Sequence, residues 1–498
     1  MGIRQLEEEL TEILEELARV DPFADLISAN VHKNYAPSAK NLYKYLVLRS
    51  HDLRRYHDKL SELGISSLRT VEGYVHANLI SVIKNLRVLQ GKAVNDIEKY
   101  TPLGYQQSKK LIKKHANELF GHGRKKHRAQ IMVTLPSEAA TDQKLLRAMV
   151  QKGMDIARIN LSHGTIEEWT KMIQNLQQIN KERRRKIKIY IDLSGPKIRV
   201  GRIFDLTKKS KPKSKAKIEK GQTLVLRKSN NLPFVDVQNG DNLVVEVLQP
   251  QIIDDVKLGD RIFFDDGVIK GHIISKTEDS AEVLLDECYK KKLGREKGIN
   301  LPDTKLNLPA LTDVDEKLLP FACANADIIG YSFVRSRNDV QYLYDRLDQI
   351  GAVDLGVVFK IENREAFENL PEILFQGMHR PRIGVMIARG DLAVELGFER
   401  ISEVQDELLW LCEAAHVPVI WATQVLETLA KKGIPTRAEI SDAARGARAE
   451  CVMLNKGPYI LDAIKMLKNI LRKMNAHVSK KKASLRALNV AKNYTTYA

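Results

Sequence analysis

The chain is poor in cysteine and has no long apolar run. Its four cysteines, Cys288, Cys323, Cys412 and Cys451, are scattered through 498 residues with no CxxC pair. That spacing argues against a zinc site or a disulfide framework and reads as reduced, mostly buried small hydrophobes. No apolar run approaches the roughly 20 residues a spanning helix needs. The amino terminus carries Glu7-Glu8-Glu9, not the basic start and apolar centre of a signal peptide, so a cytoplasmic location is expected. Much of the net charge of +17 sits in basic runs at 124–128, 183–188, 208–217 and 480–482. These runs lack interleaved aromatics and any motif for reading nucleic acid. They are expected to form a solvated face or to steer phosphorylated substrates, not to bind nucleic acid or a membrane.

What is present is the composition of a soluble globular protein, 43% hydrophobic and 29% charged, long enough for two or three domains. Residues 1–122 have a helical rhythm. Leu6, Leu10, Ile13, Leu14 and Leu17 make an apolar stripe, and helical segments are expected at 39–63, 68–89 and 94–120, the last broken near Thr101-Pro102-Leu103-Gly104. His51, His57 and His76 read there as surface or packing residues. After a basic linker at 121–128 the rhythm changes. Short apolar runs at 130–135, 155–161, 187–193, 327–333, 356–362, 383–388, 418–423 and 450–455 look like strands. Helical stretches at 142–152, 167–181, 339–350, 402–416, 438–449 and 460–474 lie between them. Eight such strands predict an α/β fold, a closed parallel (β/α)8 barrel of the TIM type, with its site at the C-terminal strand ends. The alternation is interrupted at 201–297, where period-two runs (223–226, 243–247, 261–264, 281–285) and the turn signals Asn239-Gly240 and Asp266-Gly267 predict a small inserted β-barrel domain acting as a lid. The expected division is therefore a helical extension at 1–122, barrel at 123–200 and 298–475, lid at 201–297 and a basic tail at 476–498.

The charges cluster at the predicted strand ends. Runs 356–362 and 383–391 end on Glu362 and Asp391, which can hold one hard divalent cation with help from substrate oxygens and water. Lys360 stands two residues before Glu362 on the same strand face. Arg158, Asn160 and Ser162 share a face at the end of the second run, and Asp192, Lys197 and Arg199 follow the third. Thr423 ends the seventh. Charged residues after a strand are commonplace loop entrances when taken singly, but their placement on one barrel end makes a site for a compact anion bearing phosphate and carboxylate. The segment after Met386 offers a helix N-terminus to such a carboxylate. Phosphoryl transfer is the matching reaction class.

Several stretches carry a resemblance to a known family. They are Ala157-Arg158-Ile159-Asn160-Leu161-Ser162-His163-Gly164, Gly195-Pro196-Lys197-Ile198-Arg199, Asp265-Asp266-Gly267, Lys297-Gly298-Ile299-Asn300-Leu301-Pro302, and Ser332-Phe333-Val334-Arg335. Lys360-Ile361-Glu362-Asn363, Ala388-Arg389-Gly390-Asp391-Leu392, Ala422-Thr423-Gln424 and Pro435-Thr436-Arg437-Ala438-Glu439 complete the series. In this order and spacing, positions 128–471 resemble pyruvate kinase. The resemblance implies transfer of phosphate from phosphoenolpyruvate to ADP. It implies Mg²⁺, or Mn²⁺, on Glu362 and Asp391, with Lys360, Arg158 and Thr423 as catalytic residues. It places substrate against Arg158, Lys360, Ala388, Arg389, Gly390, Asp391 and Thr423, and nucleotide against His163 and Arg199. Asn160, Ser162 and Asp192 match the monovalent-cation site. Lys197 stands where potassium-requiring members have Glu, so activity without K⁺ is expected.

The chain also departs from the family pattern. Leu135-Pro136-Ser137-Glu138 replaces a Gly-Pro turn, Leu193 a threonine and Ala393 a glycine, and Met453-Leu454-Asn455-Lys456-Gly457-Pro458-Tyr459 replaces the usual Ser-Gly-Glu-Thr segment. No C-terminal regulatory domain is expected. The N-terminal helices have no family counterpart and are the candidates for homo-oligomer assembly or partner recruitment. The altered loops leave open a related reaction on another enol phosphate or carboxylated phosphate, and the extra helices a barrel serving as a binding module.

Overall fold

In a computed structural model, residues 1–94, 103–123, 129–205, 212–228, 243–477 and 489–495 are described. The linker residues 124–128, Thr101-Pro102, Asn239-Gly240, residues 208–211 and the run at 480–482 lie outside them.

Eight parallel strands close into a barrel: Gln130–Thr134, Ile156–Asn160, Lys188–Asp192, Ile328–Tyr331, Gly356–Ile361, Ile383–Ala388, Val419–Ala422 and Cys451–Leu454. They run round the barrel in chain order, and the first closes on the eighth with Gln130 opposite Cys451. Each lies within an apolar run that predicts it. Strands covered by helices outside and packed side chains inside are buried on both faces, as Gly356–Ile361 and Ile383–Ala388 are throughout. Polar residues at the ends of the runs fall just outside the strands and satisfy their neighbours. Asp155 accepts from Ile131 N (3.1 Å) and Asp327 from Ile189 N (2.8 Å). The surrounding helices begin where the chain supplies a cap. Thr165 with Glu168, Ser336 with Asp339 and Thr436 with Glu439 form reciprocal capping boxes, which satisfy amide donors the helix itself leaves orphaned.

Between the third and fourth barrel strands lies a curled seven-stranded sheet with a core of its own. Four of its strands, Thr223–Lys228, Leu243–Val247, Arg261–Phe264 and Ser280–Cys288, contain the expected runs. Ile269–Lys276 and Val200–Asp205 add to them. The first of these was hidden by Gly271 near its start, whose missing side chain makes room for the Leu284 carbonyl. Asp265, Asp266 and Gly267, at φ of 53°, 60° and 81°, turn the chain between Arg261–Phe264 and Ile269–Lys276, a left-handed run that Asp and Gly tolerate best.

The N-terminal region is all helical: Ile3–Arg19, Asp21–Asn30, Ala36–Ser50, Arg54–Glu62, Val75–Leu89 and Tyr105–Phe120. The stripe on the first helix is buried at Leu6, Leu10, Ile13 and Leu17. The single helix expected over 39–63 is two: the chain turns extended at His51, and Asp52 Oδ1 accepts from Arg54 N (3.1 Å) just before the second begins. These helices are fastened to the barrel. His115 Nδ1 meets His416 O (2.7 Å), Asn41 Nδ2 donates to Ala414 O (2.8 Å), and His32 N donates to Met378 O (2.8 Å). Leu119 and Phe120, ending the last helix, join Met132, Ile156, Tyr190, Val358 and Met386 in the core inside the barrel. They stopper its N-terminal floor. Gly356 and Gly384 are the first and second residues of adjacent strands, and a Cβ on either would lie 2.7 or 2.6 Å from a Leu119 methyl. Among the described residues, no helix is long and apolar enough to cross a membrane.

Candidate active site

The C-terminal strand ends bring most of the expected charges together. Arg158, buried at the end of the second strand, donates through Nε (2.8 Å) and Nη2 to a single oxygen, Oδ2, of Asp192 on the third. Its Nη1 donates to Thr134 Oγ1 on the first strand (2.8 Å). Lys360 on the fifth strand reaches the same Asp192 oxygen at 3.4 Å, donates to Ser332 Oγ (2.7 Å) and lies 3.3 Å from Glu362 Oε1. Ser332 Oγ donates its hydrogen bond to Leu193 O (2.6 Å), so its lone pairs are left to the lysine.

Charge governs this cluster because Arg158, Asp192, Lys360 and Glu362 are all buried. Burial alone would raise the Asp192 carboxyl, but the charges of Arg158 and Lys360 outweigh burial and hold it below the ordinary carboxylate range. The balance is reciprocal: burial would lower Lys360, yet Asp192 and Glu362 hold its ammonium above the usual lysine value. Both cations therefore stay charged at neutral pH. Glu362 goes the other way, raised by burial and then by the charge of Asp391, with Lys360 opposing.

The sixth and seventh strands supply the other wall. Thr423 Oγ1 accepts from Gly390 N (2.9 Å) and donates to Ala422 O (2.8 Å). Thr423 and Gln424 have φ of 63° and 56°, a conformation costly for a β-branched residue and typical of functional sites. Arg389 holds this strained turn. Its guanidinium lies 4.6 Å from the Trp421 ring centroid, pairs with Asp442, and donates to Ala422 O (2.8 Å) and Thr423 O. Its side chain is thus directed to the wall of the mouth, and only its backbone belongs to the loop with Gly390 and Asp391. Ala388 is the residue before the short helix Arg389–Leu396, on whose first turn Asp391 stands.

Lys197, beyond the third strand, places Nζ 2.7 Å from Asp391 Oδ1 and 5.9 Å from the Phe333 ring centroid. Glu362 and Asp391 are two hard carboxylates, and the charge of Asp391 helps raise Glu362. Among the described residues no group of three or more His, Cys, Asp or Glu could hold a metal. A cation bound here would need substrate and water oxygens to complete its shell, which is the habit of Mg²⁺ and not of structural zinc. The donor set therefore fits the expected ion.

The remaining expected residues lie further out. Asn160 stands beside Asp192 in register, and its Oδ1 accepts from Ser162 N (3.1 Å). His163 is exposed; partial burial and the charges of Lys456, Arg199 and Arg158 push its imidazole below the ordinary value. Arg199, where the chain enters the lid, donates to Glu296 O (2.9 Å). Two cavities flank the cluster. One of ≈ 290 Å³ is walled by Thr134, Arg158, His163 and Lys456, and the other, of ≈ 510 Å³ beneath the lid hinge, by Lys197, Asn300, Phe333 and Asp391.

Sequence reasoning assigned no role to Thr134, Ser332 or Asp315. Asp315, completely buried, accepts from Ser194 N (2.8 Å) and Gly195 N (3.1 Å), holding the loop that carries Lys197. Its signal was present, since Thr312 and Asp315 are the two ends of a capping box.

The chain is similar to known proteins. The family described as pyruvate kinase, barrel domain, matches residues 126–462. The pyruvate kinase of Geobacillus stearothermophilus is 32% identical over 352 residues, 69% of this chain and 56% of that one. That of Dictyostelium discoideum is 32% identical over 69% of this chain and 66% of its own. That of Thermococcus litoralis is 33% identical over 70% and 69%. The chain thus spans less than two thirds of the length of two of these three relatives.

Proposed function

The chain belongs to the pyruvate kinase family, and from that premise we propose that it moves the phosphoryl group of phosphoenolpyruvate to ADP, giving pyruvate and ATP. The observation that carries this reading is the buried row Arg158, Asp192, Lys360 and Glu362, in which a shared carboxylate keeps two cations charged. A phosphoryl group in flight spreads negative charge over its oxygens, and preorganised cations stabilise it without reorganisation at the moment of transfer. An oxygen of the ADP β-phosphate attacks phosphorus, the bond to the enol oxygen breaks, and the enolate left behind takes a proton on its methylene carbon. Arg158, fixed on Asp192 and Thr134, orients the phosphate. Lys360 lies against the oxygens in transit. Thr423 assists protonation of the enolate, its hydroxyl held by Gly390 N–H and by a strained turn. The backbone of Ala388-Arg389-Gly390 faces the substrate carboxylate, and His163 and Arg199 serve the nucleotide phosphates. When bound between Glu362 and Asp391, Mg²⁺ or Mn²⁺ would supply additional positive charge to substrate and phosphoryl oxygens.

Lys197 serves as a built-in monovalent cation, so K⁺ is not required. The support is its ammonium, ion-paired to Asp391 inside the site. Pyruvate formation from phosphoenolpyruvate and ADP by purified protein, with Mg²⁺ and with or without K⁺, tests the reading. A folded protein that forms no pyruvate in either condition would refute it.

A further inference from the structure

Tyr190 lies two residues before Asp192 on the strand Lys188–Asp192, so both side chains project into the barrel. Both are completely buried. Asp192 uses one oxygen, Oδ2, for Arg158 and Lys360. The other oxygen, Oδ1, receives neither, and among the described residues it and the Tyr190 hydroxyl have no partner except one another. The two oxygens meet beside Gly330, the partner of Asp192 in register on the next strand. A Cβ added to Gly330 would collide with Asp192 Oδ1 and Tyr190 Oη together and lie 2.7 Å from Tyr190 Cζ. Residue 330 thus lacks a side chain where Tyr190 and Asp192 fill the space. Burial raises the Tyr190 hydroxyl well above the ordinary tyrosine value, with the charge of Asp192 adding to it. The phenol remains protonated, beside a carboxylate oxygen that needs a donor.

We propose that Tyr190 is a positioning residue for phosphoryl transfer: its hydroxyl donates to Asp192 Oδ1 and fixes the carboxylate with Oδ2 turned toward Arg158 and Lys360. The inference rests on the phosphotransfer reading. A buried carboxylate with one bare oxygen is costly and is free to turn about its terminal torsion, which is broad and two-fold. Were it to turn, both cations would follow, and small misplacements at a reacting centre cost large factors in rate. Tyr190 touches no substrate in this account. It acts through Asp192 alone.

Tyr190→Phe keeps the ring and removes only the hydroxyl. It is expected to lower kcat/KM for phosphoenolpyruvate about tenfold, the size of a hydrogen bond to a charged group. In an Asp192→Asn background the same change should alter kcat/KM less than twofold, because a neutral amide no longer holds Arg158 and Lys360, so its orientation no longer sets theirs. A Tyr190→Phe enzyme within twofold of wild type, or a full loss on top of Asp192→Asn, overturns the proposal. If Asp192→Asn does not fold, Gly330→Ala takes its place. Its methyl parts the two oxygens and should reproduce the Tyr190→Phe loss, and a fully active Gly330→Ala enzyme overturns the proposal equally. Melting temperature, read without substrate, separates this inference from the reading it rests on. Tyr190→Phe should melt about 2 °C lower. A wild-type chain inert toward phosphoenolpyruvate and ADP, with that shift present, refutes phosphotransfer and leaves the bond standing. An active wild type with a Tyr190→Phe variant that neither melts lower nor slows refutes the positioning role alone.

Discussion

Lys197→Glu is the most informative single change to the electrostatics of the site. The lysine ammonium lies 2.7 Å from Asp391 Oδ1, with only 21% and 17% of the two side chains exposed. At an effective dielectric of about 20, opposite charges about 4 Å apart attract by roughly 4 kcal/mol. Reversing the charge at 197 turns that attraction into a repulsion of similar size, partly relieved when the new side chain swings away. It also puts a third carboxylate beside Asp391 and Glu362. A loss of about 10²- to 10³-fold in pyruvate formation is expected without added K⁺, the size found for removal of one charge-stabilising group. Adding K⁺ at about 0.1 M, where charges exposed to solvent are already largely screened beyond roughly 10 Å, should restore much of it, because a monovalent cation can then occupy the vacated position. The assay is steady-state turnover of phosphoenolpyruvate and ADP with Mg²⁺, at matched ionic strength in Na⁺ or K⁺. The wild type should be indifferent to that exchange and the variant should not. A wild type strongly stimulated by K⁺, or a variant as active in Na⁺ as the wild type, would refute the role given to Lys197.

Two further outcomes concern stability. Glu395, which accepts from Asn300 Nδ2 at the lid hinge (2.8 Å), has its carboxyl pushed up to about 7 by burial. The folded chain holds that proton more tightly than the unfolded one, so this group's contribution is fully present below pH 4.5 and is lost as pH rises through about 7. Glu395→Gln should remove roughly 3 kcal/mol of that fall, and an unchanged difference in urea stability between pH 5 and pH 8, about the limits of this titration, would contradict it. Leu119→Ala opens the barrel floor and is expected to cost about 2–5 kcal/mol of unfolding free energy. A cost below about 1 kcal/mol in denaturant titration would mean that the floor closes without the helical extension.

The barrel was legible because each strand is a short, nearly continuous apolar run, and only strands buried on both faces read that way. The candidate site was legible for a related reason: its charges stand at the last positions of those runs, so strand register alone brings Arg158, Asp192, Lys360 and Glu362 to one end. What the sequence hid depends on contacts between distant segments. Leu119 and Phe120 look like the end of any amphipathic helix, and nothing local says that they enter the barrel. Tyr190 reads as one more strand aromatic until Gly330 is seen to leave it room. Arg389 sits in a loop that suggests substrate, yet its guanidinium is spent on Asp442 and the Thr423 turn. The lid strand Ile269–Lys276 was obscured by its polar residues and by the glycine near its start.

The central claim is that Lys360, held charged between Asp192 and Glu362, stabilises the phosphoryl group during transfer. Pyruvate formation by wild type and Lys360→Met, measured side by side with phosphoenolpyruvate, ADP and Mg²⁺, tests it most directly. The account predicts an active wild type and a loss of about 10² to 10³ in kcat for the variant. A variant that turns over within a few fold of the wild type would place the chemistry elsewhere.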